Sequence, residues 1–591
     1  MKYSPDFHRK TRIGTNKFSA LARLSGFFIV LSILASCREK ELPAGDADRG
    51  GLFLPDHFEA LVVADSTGSG RHLAVTDDGD IYMKFRSSPS QGMVAIRVNP
   101  QTGKAQTIER FGGYNDTGNN GTASRIYNGH LYFSTSGEVY RVRLTPGKLI
   151  PEGKVDTMLI DDYKHDKHGY EHIAKPIAFD DEGNLFVQYG APGDACQVMN
   201  RIPGSPGEEP CSQLIEHAGV WKFDANKTGQ TQKDGKRYAT GIRSIVGMDW
   251  NKQDNSLYVV VHGRDNLHST WPEIFTPWQS AVLPSEEFLR IKEGADGGWP
   301  YYYYDQMKSR RMLSPEYGGD GVKEGKGREY IKPLIGFPAH WAPNDLLFYT
   351  GDQFPKHYKD GAFIAFHGST NRAPYPQSGY FIAFVPFEKG EPAGQWEVFA
   401  DGFGGVDPIV NVSDAKYRPM AIAMGPDGSL YLSETNKGKI WRVMFKGSKG
   451  SFGKEHLLKM EERKSLSHIR TPDPVNDNLQ KGEVSTGEMI YGTYCAPCHQ
   501  TNGLGAEGRF PSLAKTEWVM KDKDRLIKIL LTGMAGSIVV NGVPYNGVMP
   551  RHSFLSDSEL ESVLTYVRQN FGNQASPITA EEIRQLRDSQ P

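Results

Sequence analysis

Cys495 and Cys498 stand two residues apart and His499 follows at once, in the run Tyr494-Cys495-Ala496-Pro497-Cys498-His499. That spacing suits attachment of a c-type haem. Each thiol adds to one vinyl group of the porphyrin, and the adjacent imidazole lies under the iron as an axial ligand. A Cys-x-x-Cys pair alone would equally suit a dithiol redox centre or half a zinc site. The immediate histidine, and the lack of a second cysteine pair nearby, argue against both. A methionine opposite the histidine raises the potential relative to a second histidine. About fifty residues on, Tyr545-Asn546-Gly547-Val548-Met549-Pro550 offers Met549 as that ligand in a Gly/Pro-rich loop, with Met534 and Met520 as competitors.

The elements that must hold this site are short helices. Ser556 and Glu559 form a capping box, and Leu560, Val563, Leu564 and Val567 then repeat at helical spacing. From Gly482 to Phe571 the chain resembles a class I cytochrome c. The resemblance rests on Gly487-Glu488-Met489-Ile490-Tyr491 ahead of the haem motif and on Leu555-Ser556-Asp557 at the last helix. It implies a small all-α cytochrome c domain over 482–575 that passes single electrons.

The N-terminus speaks to compartment. Lys2, Arg9, Lys10, Arg12, Lys17 and Arg23 precede the apolar run Phe27-Phe28-Ile29-Val30-Leu31, which is too short to span a bilayer and has the form of a secretory signal. Leu34-Ala35-Ser36-Cys37 resembles a bacterial lipobox, which implies a signal peptide over 1–36, a lipid on Cys37 and a tether over 37–54. The alternative is an ordinary signal with an incidental cysteine. Either implies export, and the lipobox implies anchoring in the bacterial envelope, on the periplasmic or outer-membrane side. The whole chain carries a net charge of −2. Loss of six basic residues and one acid with the signal leaves −7, and no basic tract suits nucleic acid. Of the five cysteines, Cys196 and Cys211 remain, and export favours pairing them as a disulfide around the Pro/Gly-rich loop 201–207.

Between tether and haem motif runs a loose repeat of strand, Asp/Gly turn and strand. Clear copies join Arg71–Val75 to Ile81–Met83, Pro176–Phe179 to Leu185–Val187, and Met420–Ala423 to Leu430–Leu432. Weaker ones join Ile126-Tyr127 to Tyr132-Phe133, Val246–Trp250 to Leu257–Val259, and Leu346–Phe348 to Ala362–Ile364. Six copies suggest an all-β six-bladed β-propeller over 55–445, with a pair of β-sandwiches as the alternative.

Residues 55–445 also resemble the glucose/sorbosone dehydrogenase family, sugar dehydrogenases that use pyrroloquinoline quinone (PQQ) on a six-bladed propeller. The resemblance rests on Arg71-His72-Leu73-Ala74, Cys196 with its loop, Gly241-Ile242-Arg243, Gly263-Arg264-Asp265-Asn266-Leu267, and Gly297-Gly298-Trp299-Pro300-Tyr301. Phe348–Asp352, His367–Arg372 and Tyr417-Arg418-Pro419 extend it. It implies His172 as the base that takes a sugar hydroxyl proton, though His165 and His168 lie close by. It implies Arg243, Arg372 and Arg418 as cations for the quinone carboxylates, and Glu286 and Glu287 as an acidic pair for Ca²⁺. Adjacent acids on one strand point to opposite faces, so at most one faces a given site. Ser244 departs from the family, where Asn usually follows the arginine.

Residues 446–481 look like a linker and 576–591 like a polar tail with a helical stretch at 580–587. The leading reading is an envelope-anchored quinohaem dehydrogenase. It would oxidise a sugar or related alcohol or aldehyde and feed a downstream electron acceptor through haem c. One rival is a glycan- or protein-binding propeller beside an independent cytochrome; another is a Ca²⁺-dependent lactonase-type hydrolase, which a fused haem argues against.

Overall fold

A computed structural model describes residues 42–86, 91–112, 122–161, 171–325, 330–472 and 486–589. Cys37 and the signal segment, with His165 and His168, lie outside the described residues. Six sheets of four or five strands form the larger part; they are antiparallel except for one short parallel pair at the outer edge of each five-stranded sheet. Their innermost strands are Gly70–Val75, Ser124–Tyr127, Ile177–Phe179, Ile245–Asn251, Pro343–Phe348 and Pro419–Met424. Each packs against the next, and the last returns to the first, which closes a ring. The six hairpins of the sequence repeat are the two innermost strands of the six blades.

The turns show why those segments fold as hairpins. Asp180 Oδ1 accepts from the Glu182 and Asn184 amides, and Gly183 takes a left-handed φ of +91°. Second strands such as Ile81–Phe85, Ser256–Val261 and Ala362–Phe366 are buried throughout, sandwiched between neighbouring blades. The rim strand Ala105–Phe111 is mostly exposed instead.

Blade six is completed from far away in the chain: Phe58–Ala64 pairs antiparallel with Ile440–Phe445. Phe58 is fully buried there, edge-on to Phe354 at 4.8 Å and Phe399 at 5.3 Å. Aromatic edge-to-face contacts of this kind add to the burial that holds the ring shut.

The segments that flank the cytochrome pack against the body of the protein. The described part of the supposed linker, up to residue 472, packs on the propeller. Met460 and Ile469 are buried against Trp341, Phe366 and Phe381. His468 lies between Asp401 (3.0 Å) and Asp407 (3.1 Å). The tail forms the expected helix, Ala580–Asp588, capped by Thr579, and it buries Ile583 among the cytochrome helices. Among the described residues no helix is long and apolar enough to cross a membrane.

The C-terminal domain is helical, as expected, around Lys523–Thr532 and Asp557–Gln569. It also carries a hairpin, Met534–Val540 with Val543–Met549. Met549 therefore ends a strand rather than sitting in a loop. Asn541 (φ 51°) and Gly542 (φ 82°) make the turn. This is the Asn-Gly signature of a two-residue hairpin, and it was legible in the sequence.

Candidate functional site

Helix Thr486–Ile490 runs into a π-type turn, Tyr491–Cys495, and then into the short helix Ala496–His499. The extra residue in the turn helps set the two thiols toward one cavity, and such bulges favour functional positions. Cys495 and Cys498 are free, with burial pushing each thiol up to about 12. His499 is buried, and burial lowers its pKa. Its Nδ1 donates to the Pro511 carbonyl at 2.8 Å, which fixes the tautomer and leaves Nε2 for a metal. Cys495, Cys498, His499, Met549 and Met534 line one space. Its apolar extension is lined by Leu526, Leu530, Val563 and Leu564. Met534 and Met549 are direct cross-strand partners, so both thioethers reach the cavity. Two thiols, one imidazole with a committed tautomer, thioethers and an apolar slot fit haem c. Met520 lines neither space.

On the propeller, His172 precedes the innermost strand of blade three. Its Nδ1 lies 2.7 Å from the Ala191 carbonyl, which can only accept, so the ring proton sits on Nδ1. Nε2 then accepts from Arg243 Nη1 at 2.7 Å. Desolvation, followed by the Arg243 charge, holds the imidazole well below its usual pKa. Gly190 permits the approach: a Cβ there would meet the His172 carbonyl at 2.1 Å. Arg243 also donates to Asp194 Oδ1 (2.7 Å) and to the Gly263 carbonyl, while its buried Nε has no partner among the described residues. The spare donor and fixed positive charge fit a carboxylate-bearing group such as PQQ. A second pair has the same form. Arg418 Nη2 donates to His367 Nδ1 at 2.9 Å, and His367 Nε2 meets Thr435 Oγ1 at 3.0 Å.

The glucose/sorbosone dehydrogenase family model matches residues 120–369. A TrAA12-like model matches 322–446, and one for subunit III of cbb3-type cytochrome c oxidase matches 482–567. Cytochrome c-552 of Thermus thermophilus is 42% identical over 110 residues, 17% of this chain and 83% of that protein. The propeller is of the glucose/sorbosone dehydrogenase type, and the C-terminal domain belongs to the cytochrome c family. The gluconate 2-dehydrogenase cytochrome c subunit of Pantoea cypripedii is 34% identical over 121 residues, 20% of this chain and 27% of that protein. An uncharacterised Borreliella burgdorferi protein is 30% identical over 210 residues, 35% of this chain and about half (48%) of that protein's length. In structure, the PQQ domain of pyranose dehydrogenase from Coprinopsis cinerea superposes with a TM-score of 0.51 at 15% identity, covering 69% of this chain and 99% of that one. A Trichoderma reesei protein of carbohydrate-active family AA12 gives 0.54 at 16%, covering 67% and 98%. Both share the propeller fold.

Within this dehydrogenase-type propeller, the structure brings His172 and Arg243 together. It does not bring Arg372 to them. Arg372 is fully buried and donates to the carbonyls of Ala281 and Arg470, both at 3.2 Å, as a pin between loops. The cavity beside Arg243 is lined by neither Arg372 nor Arg418. The acidic pair is engaged within the protein. Glu287 is tied two-pronged to Arg311 (3.0 and 2.6 Å). Glu286 accepts from the Gly263 and Ala342 amides, and burial raises it to about 7. The two do point to different surroundings, but neither carboxylate is free. Among the described residues no group of three or more His, Cys, Asp or Glu side chains could hold a metal ion.

Cys196 and Cys211 are bonded, with Cα atoms 6.1 Å apart. The loop they bracket carries Arg201, which clamps Glu171 beside His172 and lies 3.5 Å from Asp194. Asp194 and Arg201 escaped sequence reading, because nothing in their local pattern separates them from ordinary loop residues. His552 escaped it too. It lines the haem cavity, with neither ring nitrogen hydrogen-bonded among the described residues.

Proposed function

We infer that the chain is a quinohaem dehydrogenase acting on the CH–OH group of a sugar or related alcohol or aldehyde. The observation that carries this reading is the His172–Arg243 pair, a neutral imidazole held against a guanidinium with one buried donor to spare. It lies on a dehydrogenase-type propeller in one chain with a cytochrome. When bound, PQQ supplies a two-electron acceptor and haem c a one-electron carrier. Arg243 Nε offers a donor, and the guanidinium its charge, to a carboxylate, and a turn of the guanidinium toward that carboxylate would lift Nη1 from the His172 lone pair. His172 Nε2 then takes the proton of the substrate hydroxyl. Asp194 keeps Arg243 in place through the engagement. Arg418, with His367, is the second candidate cation.

The test is reconstitution with PQQ, followed by a screen of sugars, alcohols and aldehydes while the reduced haem band is watched. Reduction by a sugar in the PQQ-loaded protein alone is the expected result. No PQQ binding, and no reduction by any of these compounds, would leave the propeller as a binding module.

Anchoring belongs to the same proposal. The basic N-terminus, apolar run and Leu34-Ala35-Ser36-Cys37 support lipidation of Cys37 in the bacterial envelope. Cys37→Ser then releases the protein from membranes, and unchanged partitioning counts against the lipid.

A further inference from the structure

The haem cavity is not walled by the cytochrome alone. Pro374 from a loop of blade five, and Val410, Asn411 and Asp414 from the connection into blade six, line the same space as Cys498, His499 and Met549. Two contacts fix this seam. Tyr375 Oη donates to Tyr494 Oη at 2.8 Å, with ring centroids 5.1 Å apart. Burial raises the pKa of both phenols, Tyr494 to about 12, so both keep their protons. Arg509, which also lines the cavity, donates to the Pro408 carbonyl and lies 3.4 Å from Asp414 Oδ2. Asp414 is itself steadied by the amides of Val410 and Asn411, both at 3.0 Å.

The blade-five loop has a second end. It begins at His367, the partner of Arg418 near the ring centre, is pinned midway by Arg372, and reaches Tyr375 at the haem wall. One stretch of about ten residues thus joins a candidate quinone-side cation to the residue before Cys495.

We propose that this propeller face is the electron-entry wall of the haem domain, with Tyr375 and Arg509 as positioning residues that hold the cavity against the blade-five loop. The proposal rests on the dehydrogenase reading for its direction of flow. Oxidation of one CH–OH group releases two electrons and two protons. Each crossing carries one electron and reduces one ferric iron to ferrous. An external one-electron acceptor reoxidises the iron between the two crossings, and the protons leave from the propeller side. That acceptor must approach the haem from a side other than this wall.

The experiment uses the full-length haem-loaded protein as wild type, as Tyr375→Phe, and as Tyr375→Phe with Arg509→Ala. It reads small-angle scattering, the rate of haem reduction by dithionite, and the rate of haem reduction by a propeller substrate. In the double variant dithionite is expected to reduce the haem faster and the scattering radius to grow, because the wall has loosened. Substrate-driven reduction should slow roughly tenfold, the scale of losing one or two buried hydrogen bonds. Tyr375→Phe keeps the ring packing and should shift each readout the same way by less, so it still decides the matter if the double variant folds poorly. Dithionite rates and scattering equal to wild type in both variants would overturn the proposal. Absence of substrate-driven reduction in the wild type would sink only the dehydrogenase reading, since the other two readouts need neither PQQ nor substrate.

Discussion

Around the haem cavity, Leu526, Leu530, Val563 and Leu564 present methyl groups, and His552 adds a buried ring. Around His172 most polar groups are already engaged: Arg243 serves His172, Asp194 and Gly263, and Asp194 also takes the Asp265 amide. An apolar cavity waits for a large flat group and gains by burying it. A largely engaged polar centre, with Arg243 Nε to spare, must instead exchange some of its hydrogen bonds when a ligand arrives. The first binds through covalent capture and shape. The second selects through charge.

Substitutions can break this contrast, and the largest effect is expected at the thiols. Cys495→Ser with Cys498→Ser should abolish covalent haem, read as a haem band that acidic acetone extracts completely. Within the same cavity, Met549→Ala should lose any Met–iron charge-transfer band and lower the potential. Met534→Ala should keep that band, and the reverse result would exchange the two cross-strand partners.

At the polar centre the scale is smaller. His172→Ala should cut substrate-driven haem reduction by roughly 10²–10⁴-fold, the usual worth of a positioned base, and leave haem attachment untouched. Because desolvation and Arg243 hold His172 well below 6.5, that reduction in the wild type should show no His inflection between pH 6 and 8. Arg243→Gln removes the second cause, so an inflection should rise toward 6.5. A wild-type profile already bending near 6.5 would contradict both the burial of His172 and the nearby Arg243 charge.

The smallest effect lies away from both sites. Burial alone would lower His468, but Asp401 and Asp407 override it and lift the ring to about 9. A raised histidine contributes stability that is fully present below about pH 6.5 and lost as pH climbs through 9. His468→Gln should therefore destabilise at pH 6 by about 1–3 kcal/mol, and by little at pH 10, in urea unfolding. Equal losses at both pH values would remove the charge from the account.

What could be read beforehand follows the same divide. The haem motif and the Ser556–Glu559 cap are local patterns, each set by spacing along one helix or turn. The six hairpins were visible because Asp-Gly turns recur between apolar strands. The polar centre draws on residues 172, 194, 243 and 263, which meet only once two neighbouring blades have packed. Arg372 matched the family pattern yet serves as a pin, because a buried guanidinium takes whatever carbonyls its loop presents. The hairpin at 534–549 carries its Asn541-Gly542 turn between strands too poor in alternating apolar residues to stand out beside the Met549 motif.

The pairing of Phe58–Ala64 with Ile440–Phe445 has a consequence for how the chain acquires its shape. These partners lie at opposite ends of the propeller sequence, so the ring cannot shut until both have been made. Closing so long a loop is slow, and contacts of this separation are a late event in folding. Until then Phe58, Phe354 and Phe399 face solvent beside an unpaired strand edge, a combination prone to association. A chain ending before Ile440 should therefore collect as aggregates rather than as a five-bladed remnant. The amino terminus, synthesised first, is the last part of the propeller to be satisfied.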